Sequence, residues 1–312
     1  MITQMARWIL CSVLLMACPT GGSDYDMNKA AGPMNDLVVT RNLRYEPTGN
    51  RHCLDVYVLR AAAPKLRPVI VYLYGGDWAA GKKAEFAFVG AALARRGFVT
   101  VVPDYRIYPE AHWPMFLQDN AAAVRWARDH AASFGGDPSK LVLMGHSSGA
   151  HNAFSLAVEP KWLNAVGMAP RDLKAIVGLS GVYSMLPLDG PREHAIFGSR
   201  TGYTEPIDHV DGAAPPMLLI IGDRDRAAEP SNSDEVAVKL RKNGDLAEVI
   251  HYPNLGHSDT QNALVASPGQ PPRIIDAILR FLASQGAEPP QSQANPSEVP
   301  RLNTANTSRP KE

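Results

Sequence analysis

The stretch Leu141-Val142-Leu143-Met144-Gly145-His146-Ser147-Ser148-Gly149-Ala150-His151 decides the fold. The apolar run after Pro138 reads as a buried strand, and the small residues from Ala150 to Leu156 read as a helix. Between them stands Gly145-x-Ser147-x-Gly149, the spacing of a nucleophile elbow, in which a serine is carried on a sharp strand-to-helix turn. The spacing has a steric cause. A strained turn brings backbone segments together, and side chains at the flanking positions collide. The following helix starts at the serine, so its free N–H groups and its dipole favour negative charge there.

Outward from the elbow the chain alternates strands and helices. Val38 to Tyr45 and His52 to Leu59 are β-rich runs separated by the turn cluster Pro47-Thr48-Gly49-Asn50, which predicts an antiparallel hairpin. Pro68 to Tyr74 and Phe98 to Val102 are continuous apolar runs, expected to be strands buried on both faces. Leu173 to Leu179, Met217 to Ile221 and Glu248 to Tyr252 complete the strands. Helices are expected over Glu85 to Arg96, Phe116 to Ala132, Ser233 to Lys242 and Arg273 to Ser284, with Gly135-Gly136-Asp137-Pro138 as a turn before the elbow strand. The pattern predicts an α/β class with a mostly parallel eight-stranded sheet and helices on both faces. The domain should occupy residues 37–284, and residues 285–312, almost without apolar side chains, read as a disordered tail.

A serine nucleophile needs a base, and the base needs an orienting acid. On an elbow of this kind the acid and then the histidine follow the serine in the chain. Of nine histidines, His257 lies in the loop after the last strand, Tyr252-Pro253-Asn254-Leu255-Gly256-His257, where active sites of open α/β sheets form. His251 falls within a strand, His194 and His209 in a loop that could line a pocket, and His146 and His151 on the wrong sides of the turn. Two aspartates after Ile221 compete for the acid. Asp225, one turn beyond the strand end, has room to reach the histidine and is favoured. Asp223, at the strand end itself, is expected to bond the loop. The backbone N–H of Ser148 follows the nucleophile and should face a tetrahedral oxyanion. A second set of donors is expected from the loop Tyr74-Gly75-Gly76-Asp77-Trp78.

These segments resemble the esterases and lipases related to hormone-sensitive lipase, within the α/β-hydrolase superfamily. The nearest likeness is to feruloyl-esterase-like, arylformamidase-like and prenylcysteine-methylesterase-like members. The matching motifs are Tyr74-Gly75-Gly76-Asp77-Trp78, Val102-Pro103-Asp104-Tyr105-Arg106-Ile107-Tyr108-Pro109-Glu110, Gly135-Gly136-Asp137-Pro138, the elbow, Gly222-x-x-Asp225, and Tyr252-Pro253 with Gly256-His257. The resemblance implies the α/β-hydrolase fold, a catalytic triad of Ser147, Asp225 and His257, and oxyanion donors at Gly76, Asp77 and Ser148. It implies structural roles for Asp104 and Arg106. It implies a small-molecule ester substrate cleaved through an acyl-enzyme, with no metal and no cofactor. An arylformamidase or a prenylcysteine-methylesterase-like hydrolase is the alternative function, and a peptidase or a non-catalytic binding protein on the same fold is a remoter one. The sequence departs from the family where Tyr74 stands for a histidine and Asp77 for a third glycine. Trp78, Tyr105, Tyr108, Trp113 and the loop 184–214 are expected to line the pocket.

The balance of 31 basic and 31 acidic residues gives no reason to expect nucleic-acid binding. The three cysteines, Cys11, Cys18 and Cys53, show neither metal-ligand spacing nor a disulfide framework. Arg7 is the only charge before the short apolar run Trp8 to Ala17, which matches a signal-peptide core over residues 1–17. Its end, Leu15-Met16-Ala17-Cys18, resembles a bacterial lipoprotein signal, in which the cysteine is acylated after export. That implies a periplasmic, membrane-anchored protein, with residues 18–36 as a tether. Several acyl chains anchor stably, because each buried CH₂ adds about 0.8 kcal/mol. The protein should therefore stay with membranes in high salt and leave them in detergent, and Cys18→Ser should abolish the anchor. An unmodified mature N-terminus beyond residue 18, found by mass spectrometry in a soluble periplasmic fraction, would leave plain secretion instead.

Overall fold

A computed structural model describes residues 26–188, 190–198, 205–265 and 274–290. A run such as Val69-Ile70-Val71-Tyr72-Leu73 has no polar face, so it is stable only where both faces of a sheet are covered. It lies in β3 (Arg67–Leu73), a strand buried along its whole length. Around it are β1 (Leu37–Arg44), β2 (Cys53–Leu59), β4 (Val99–Pro103), β5 (Gly136–His146), β6 (Leu173–Leu179), β7 (Met217–Gly222) and β8 (Ala247–Tyr252). These eight strands form one sheet in the order β1-β2-β4-β3-β5-β6-β7-β8. The first hairpin pairs antiparallel and β2 pairs antiparallel with β4, while every other pair is parallel. This is the mostly parallel eight-stranded sheet that the sequence predicts.

Side chains of a strand alternate between faces. Ile70, Tyr72, Val142 and Met144 pack on one face beneath α2 (Ala87–Arg95) and α9 (Ile274–Ser284). Val69, Val71, Leu141 and Leu143 pack on the other, beneath α3 (Met115–His130), α4 (Ser148–Val158) and α7 (Pro230–Lys242). Each such side chain contributes roughly 1.5–3 kcal/mol of burial, so the two layers dominate stability. The parallel register also sets the site. Leu73 is level with Gly145, His146 with Leu179, Leu179 with Ile220, and Gly222 with Tyr252. The loops that leave β3, β5, β6, β7 and β8 therefore emerge side by side at the carboxyl edge of the sheet.

Several boundaries differ from the sequence reading. β5 starts at Gly136, because Gly136 pairs with Arg67, and only Gly135 turns the chain, at φ 72°. The helix expected from Glu85 opens as a 3-10 turn over Lys83–Phe86. Short helices α5 (Pro160–Asn164), α6 (Pro191–Phe197) and α8 (Asp259–Asn262) were not legible, being too brief to show a period. Cys53, buried at the head of β2, is disulfide-bonded, so the expectation of no disulfide does not hold; Cys11 and Cys18 lie outside the described residues.

Two expected free segments are docked where they are described. In the stretch read as a tether, α1 (Asp26–Ala30) packs beside α2. The Asn28 amide donates to the carbonyl of Ala84 at 2.8 Å and accepts from the N–H of Phe88 at 2.9 Å. Arg95 then donates to the carbonyls of Ala31 and Pro33 and pairs with Asp36. At the other end Ala287 is fully buried and Pro289 rests against Gly97, so the chain stays packed to residue 290 rather than leaving at 285. The signal segment, Cys18 and residues 291–312 lie outside the described residues. Asn28→Ala removes both amide bonds, a loss of about 1 kcal/mol each. Limited proteolysis should then cut between residues 26 and 36 faster than in the wild type while the remainder resists; an unchanged cleavage rate would show that Asn28 does not hold α1.

Candidate active site

Ser147 sits between β5 and α4 at φ 53° and ψ −125°, a conformation costing about 1–3 kcal/mol for a residue with a Cβ. Its neighbours hold it there. Its N–H donates to the carbonyl of Leu179 at 3.0 Å, and its own carbonyl accepts from Ala150 and His151. The flanking glycines leave no room for alternatives. A Cβ at Gly145 would stand 2.3 Å from the carbonyl oxygen of Gly149, and one at Gly149 only 2.1 Å from that of Leu73. The Gly-x-Ser-x-Gly spacing is thus the footprint of three backbone segments in contact.

His257 Nε2 lies 2.9 Å from Ser147 Oγ, and His257 Nδ1 lies 2.9 and 3.0 Å from the two oxygens of Asp225. An ionised carboxylate only accepts, so Nδ1 carries the proton and Nε2 is free to accept from the serine hydroxyl. Asp225 is 4 % exposed. Burial raises its pKa, but hydrogen bonds from His257, Ala228 and Ala227 outweigh that and hold it below the ordinary value. Asp223, the competing acid, instead bonds His251 at 2.7 Å, and His251 also reaches Asp234. The loops that carry Asp225 and His257 are knitted together. Arg224 N–H donates to Leu255 O at 3.0 Å, and a Cβ at Gly222 would meet that same oxygen at 2.2 Å.

The loop after β3 brings its backbone opposite the serine. Gly76, Asp77 and Trp78 all take positive φ, at 134°, 50° and 53°. The N–H groups of Gly76, Asp77 and Ser148 meet no acceptor among the described residues. Tyr74 replaces the family histidine as the loop's anchor: its hydroxyl donates to Asp104 at 2.7 Å, accepts from Arg51, and its ring stacks on Phe86 and Tyr105. Asp104 also accepts from the N–H of Lys83, and Arg106 grips Asp119 with two guanidinium bonds. Both are therefore structural. The Asp77 carboxylate is 70 % exposed and lies 3.9 Å from Arg192, so its charge is solvated and partly paired.

None of the expected pocket aromatics is among the described residues that line the cleft over Ser147, and of the expected loop 184–214 residues 189 and 199–204 lie outside the described residues. Tyr105 is fully buried and its hydroxyl donates to the carbonyl of Tyr74. Trp78 is buried, bonded to Asn152 at 2.8 Å and set edge-on against Phe197 and His151. Tyr108 holds Trp78 O through its N–H, and Trp113 packs against Trp162. Trp78 and Tyr105 fix the loop behind the site from buried positions, whereas Tyr108 and Trp113 are only partly buried. The cleft over Ser147 measures about 290 Å³, and among the residues lining it are Gly75, Gly76, Glu85, Phe86, His146 and Gln261. Phe86 and Gln261 were missed, since each comes from a short turn with no motif of its own. His146, set aside as a base, does not reach Ser147 Oγ but does face the site. Its Nε2–H donates to the main-chain carbonyl of His257 at 2.9 Å, with the two rings 4.8 Å apart. Among the described residues no group of three metal-ligating side chains occurs.

The BD-FAE family model matches residues 54–240. Isoprenylcysteine alpha-carbonyl methylesterase ICME of Arabidopsis thaliana is 29% identical over 234 residues, covering 67% of this chain and 54% of that protein. Esterase LipQ of Mycobacterium tuberculosis is 27% identical over 265 residues, covering 78% of this chain and 62% of its own length. The chain thus spans less than two thirds of either relative. Among solved structures, a truncated carbohydrate esterase from gut microbiota superposes with TM-score 0.69 at 24% identity, covering 82% of this chain and 100% of that one. Esterase B from Lactobacillus rhamnosis does so with TM-score 0.70 at 19% identity, covering 80% and 86%. These likenesses show the α/β-hydrolase fold.

Two buried histidines give the site a pH signature. Burial pushes the pKa values of His146 and His151 down to about 4 from an ordinary 6.5. Between pH 6.5 and about 4 the unfolded chain therefore takes up protons that the native state refuses. The stability contributed by these two groups is fully present above 6.5 and falls as pH drops through that window, by up to roughly 1 kcal/mol per pH unit for each. The melting temperature should decline from pH 7 to 4.5, and less steeply in His151→Gln. Equal slopes in the two proteins would mean that His151 titrates normally in the native state.

Proposed function

The chain belongs to the BD-FAE family of α/β-hydrolases, and on that footing we propose that it hydrolyses carboxylic esters with Ser147 as nucleophile, His257 as base and Asp225 as orienting acid. One observation carries the reading: the unbroken hydrogen-bond path from Ser147 Oγ through the His257 ring to the buried Asp225. Ser147 attacks the ester carbonyl as its proton passes to His257 Nε2. Asp225 holds the tautomer and stabilises the imidazolium. The N–H groups of Gly76, Asp77 and Ser148 receive the oxyanion, each such donor being worth about 3–4 kcal/mol. His257 then protonates the departing alcohol, and water, deprotonated by the same ring, releases the acid from the acyl-enzyme.

Relatives named as a methylesterase and an esterase support the same reaction class. The cleft over Ser147 is open to solvent, which suits the short acyl esters chosen for the test. Export and acylation at Cys18 are part of the proposal. With α1 docked, only residues 19–25 remain between the anchor and the domain, a reach of at most about 25 Å. The mass of the N-terminal peptide decides whether Cys18 carries the diacylglyceryl thioether.

Ser147→Ala should lower kcat for short p-nitrophenyl esters by about 10⁶ without changing the melting curve. Asp225→Asn should cost roughly 10⁴, whereas Asp223→Asn, which loses only the bond to His251, should cost far less. A reversed order of the two aspartates would assign the acid wrongly, and a Ser147→Ala protein retaining a tenth of the activity would remove the nucleophile. Faster turnover of N-formyl aromatics or small peptides than of any ester would move the proposal to those substrates.

A further inference from the structure

We infer that His146 is a positioning residue for the reaction: by holding the main-chain carbonyl of His257 it fixes where the His257 imidazole stands over Ser147. The inference rests on the reading of Ser147 and His257 as nucleophile and base. Asp225 grips His257 only at Nδ1, which sets the ring's rotation and tautomer but leaves the position of its main chain free. That main chain lies in a loop, the kind of segment that drifts unless its backbone groups are tied.

Here it is tied twice. The His257 carbonyl accepts from His146 Nε2–H at 2.9 Å and from Thr260 Oγ1–H at 3.2 Å. With its hydrogen so committed, Thr260 Oγ1 accepts from Ser180 Oγ–H at 2.9 Å. Ser180 is itself held through its N–H on Ile220 O, and its neighbour Leu179 accepts the N–H of Ser147. The contacts close a ring from Ser147 through β6, Ser180, Thr260 and His257 to His146, the residue covalently before Ser147. Thr260 and Ser180 are fully buried and His146 is 4 % exposed, so water does not compete for these bonds. The serine and its base are thus coupled by a path independent of the Oγ–Nε2 bond itself. The bond's donor is a neutral imidazole packed 4.8 Å from the His257 ring, a rigid strut rather than a proton carrier.

The test uses the whole protein, a fluorophosphonate probe to count reactive serines, and p-nitrophenyl acetate turnover per titrated site. His146→Phe keeps a ring but lacks the donor. It should lower kcat per site by about 10- to 100-fold, the scale of a sub-ångström to 1 Å misplacement, with KM within about twofold. His146→Gln, whose amide N–H reaches the same carbonyl, should recover most of that loss. Thr260→Val should lower kcat several-fold at unchanged KM. The double variant should lose more than the product of the two, because each single leaves the carbonyl one donor. A His146→Phe protein turning over at the wild-type rate per titrated site would overturn the inference, as would a Gln variant no better than Phe. If His146→Phe yields no folded protein, a Thr260→Val protein with unchanged kcat overturns it instead. A wild-type protein in which the probe leaves Ser147 unlabelled would remove the nucleophile reading, and that result is distinct from the others.

Discussion

Ser147 can keep φ at 53° only because three pieces of backbone close on it with no side chain between them. The carbonyls of Leu73 and Gly149 occupy the volume where Cβ atoms at Gly149 and Gly145 would stand, and a Cβ at Gly75 would meet Ser147 Cβ at 2.9 Å. β3, β5 and α4 are therefore fixed relative to one another by contact rather than by side-chain packing, and interiors so tightly filled do not deform continuously. Everything else at the site inherits this geometry. The loop after β3 has to pass at backbone distance from the elbow, which aims its N–H groups there. Leu179, level with His146 in the register, supplies the carbonyl that holds the strained residue.

The parts of the fold legible in the sequence are those that follow from this constraint or from periodicity. The elbow, the eight strands and the long helices each leave a pattern of residue types. Ser147, His257 and Asp225 could be picked because position along the chain maps to position along the sheet edge. The choice of Asp225 over Asp223 has a physical basis in the structure. Asp223 continues β7 and stays beside His251 of β8, whereas Asp225 turns inward, where Ala227 and Ala228 present their N–H groups.

What was not legible depends on contacts between segments far apart in sequence. Trp78 and Tyr105 are aromatics that motif position points to, and three-dimensional packing buries them as supports of the loop instead. α1 looked like linker because its composition is polar, yet it is docked by the Asn28 amide, by Arg95 and by Met27, Ala31 and Met34 against the core. The buried pair Lys83–Asp55, at 2.8 Å, shows the same thing at the sheet edge. It also reaches Asn42, and such a pair is retained for the arrangement it fixes rather than for net stability.

The same logic separates the chemistry from the choice of substrate. The groups proposed for bond breaking stand on the carboxyl edge of the sheet and are braced by close-packed backbone. The wall beside them is built differently. α6 is tied on through Trp113 N–H to Ile196 O, through His112 to Ala195 O at 2.7 Å, and through Phe197 set edge-on beneath Trp78. Trp78 is the residue after the proposed oxyanion donor Asp77, and Arg192 of α6 lies against Asp77 itself. α6 is thereby keyed to the loop that would bind the oxyanion. A change in α6 that displaces Phe197 from beneath Trp78 therefore also disturbs the loop that carries the proposed donors.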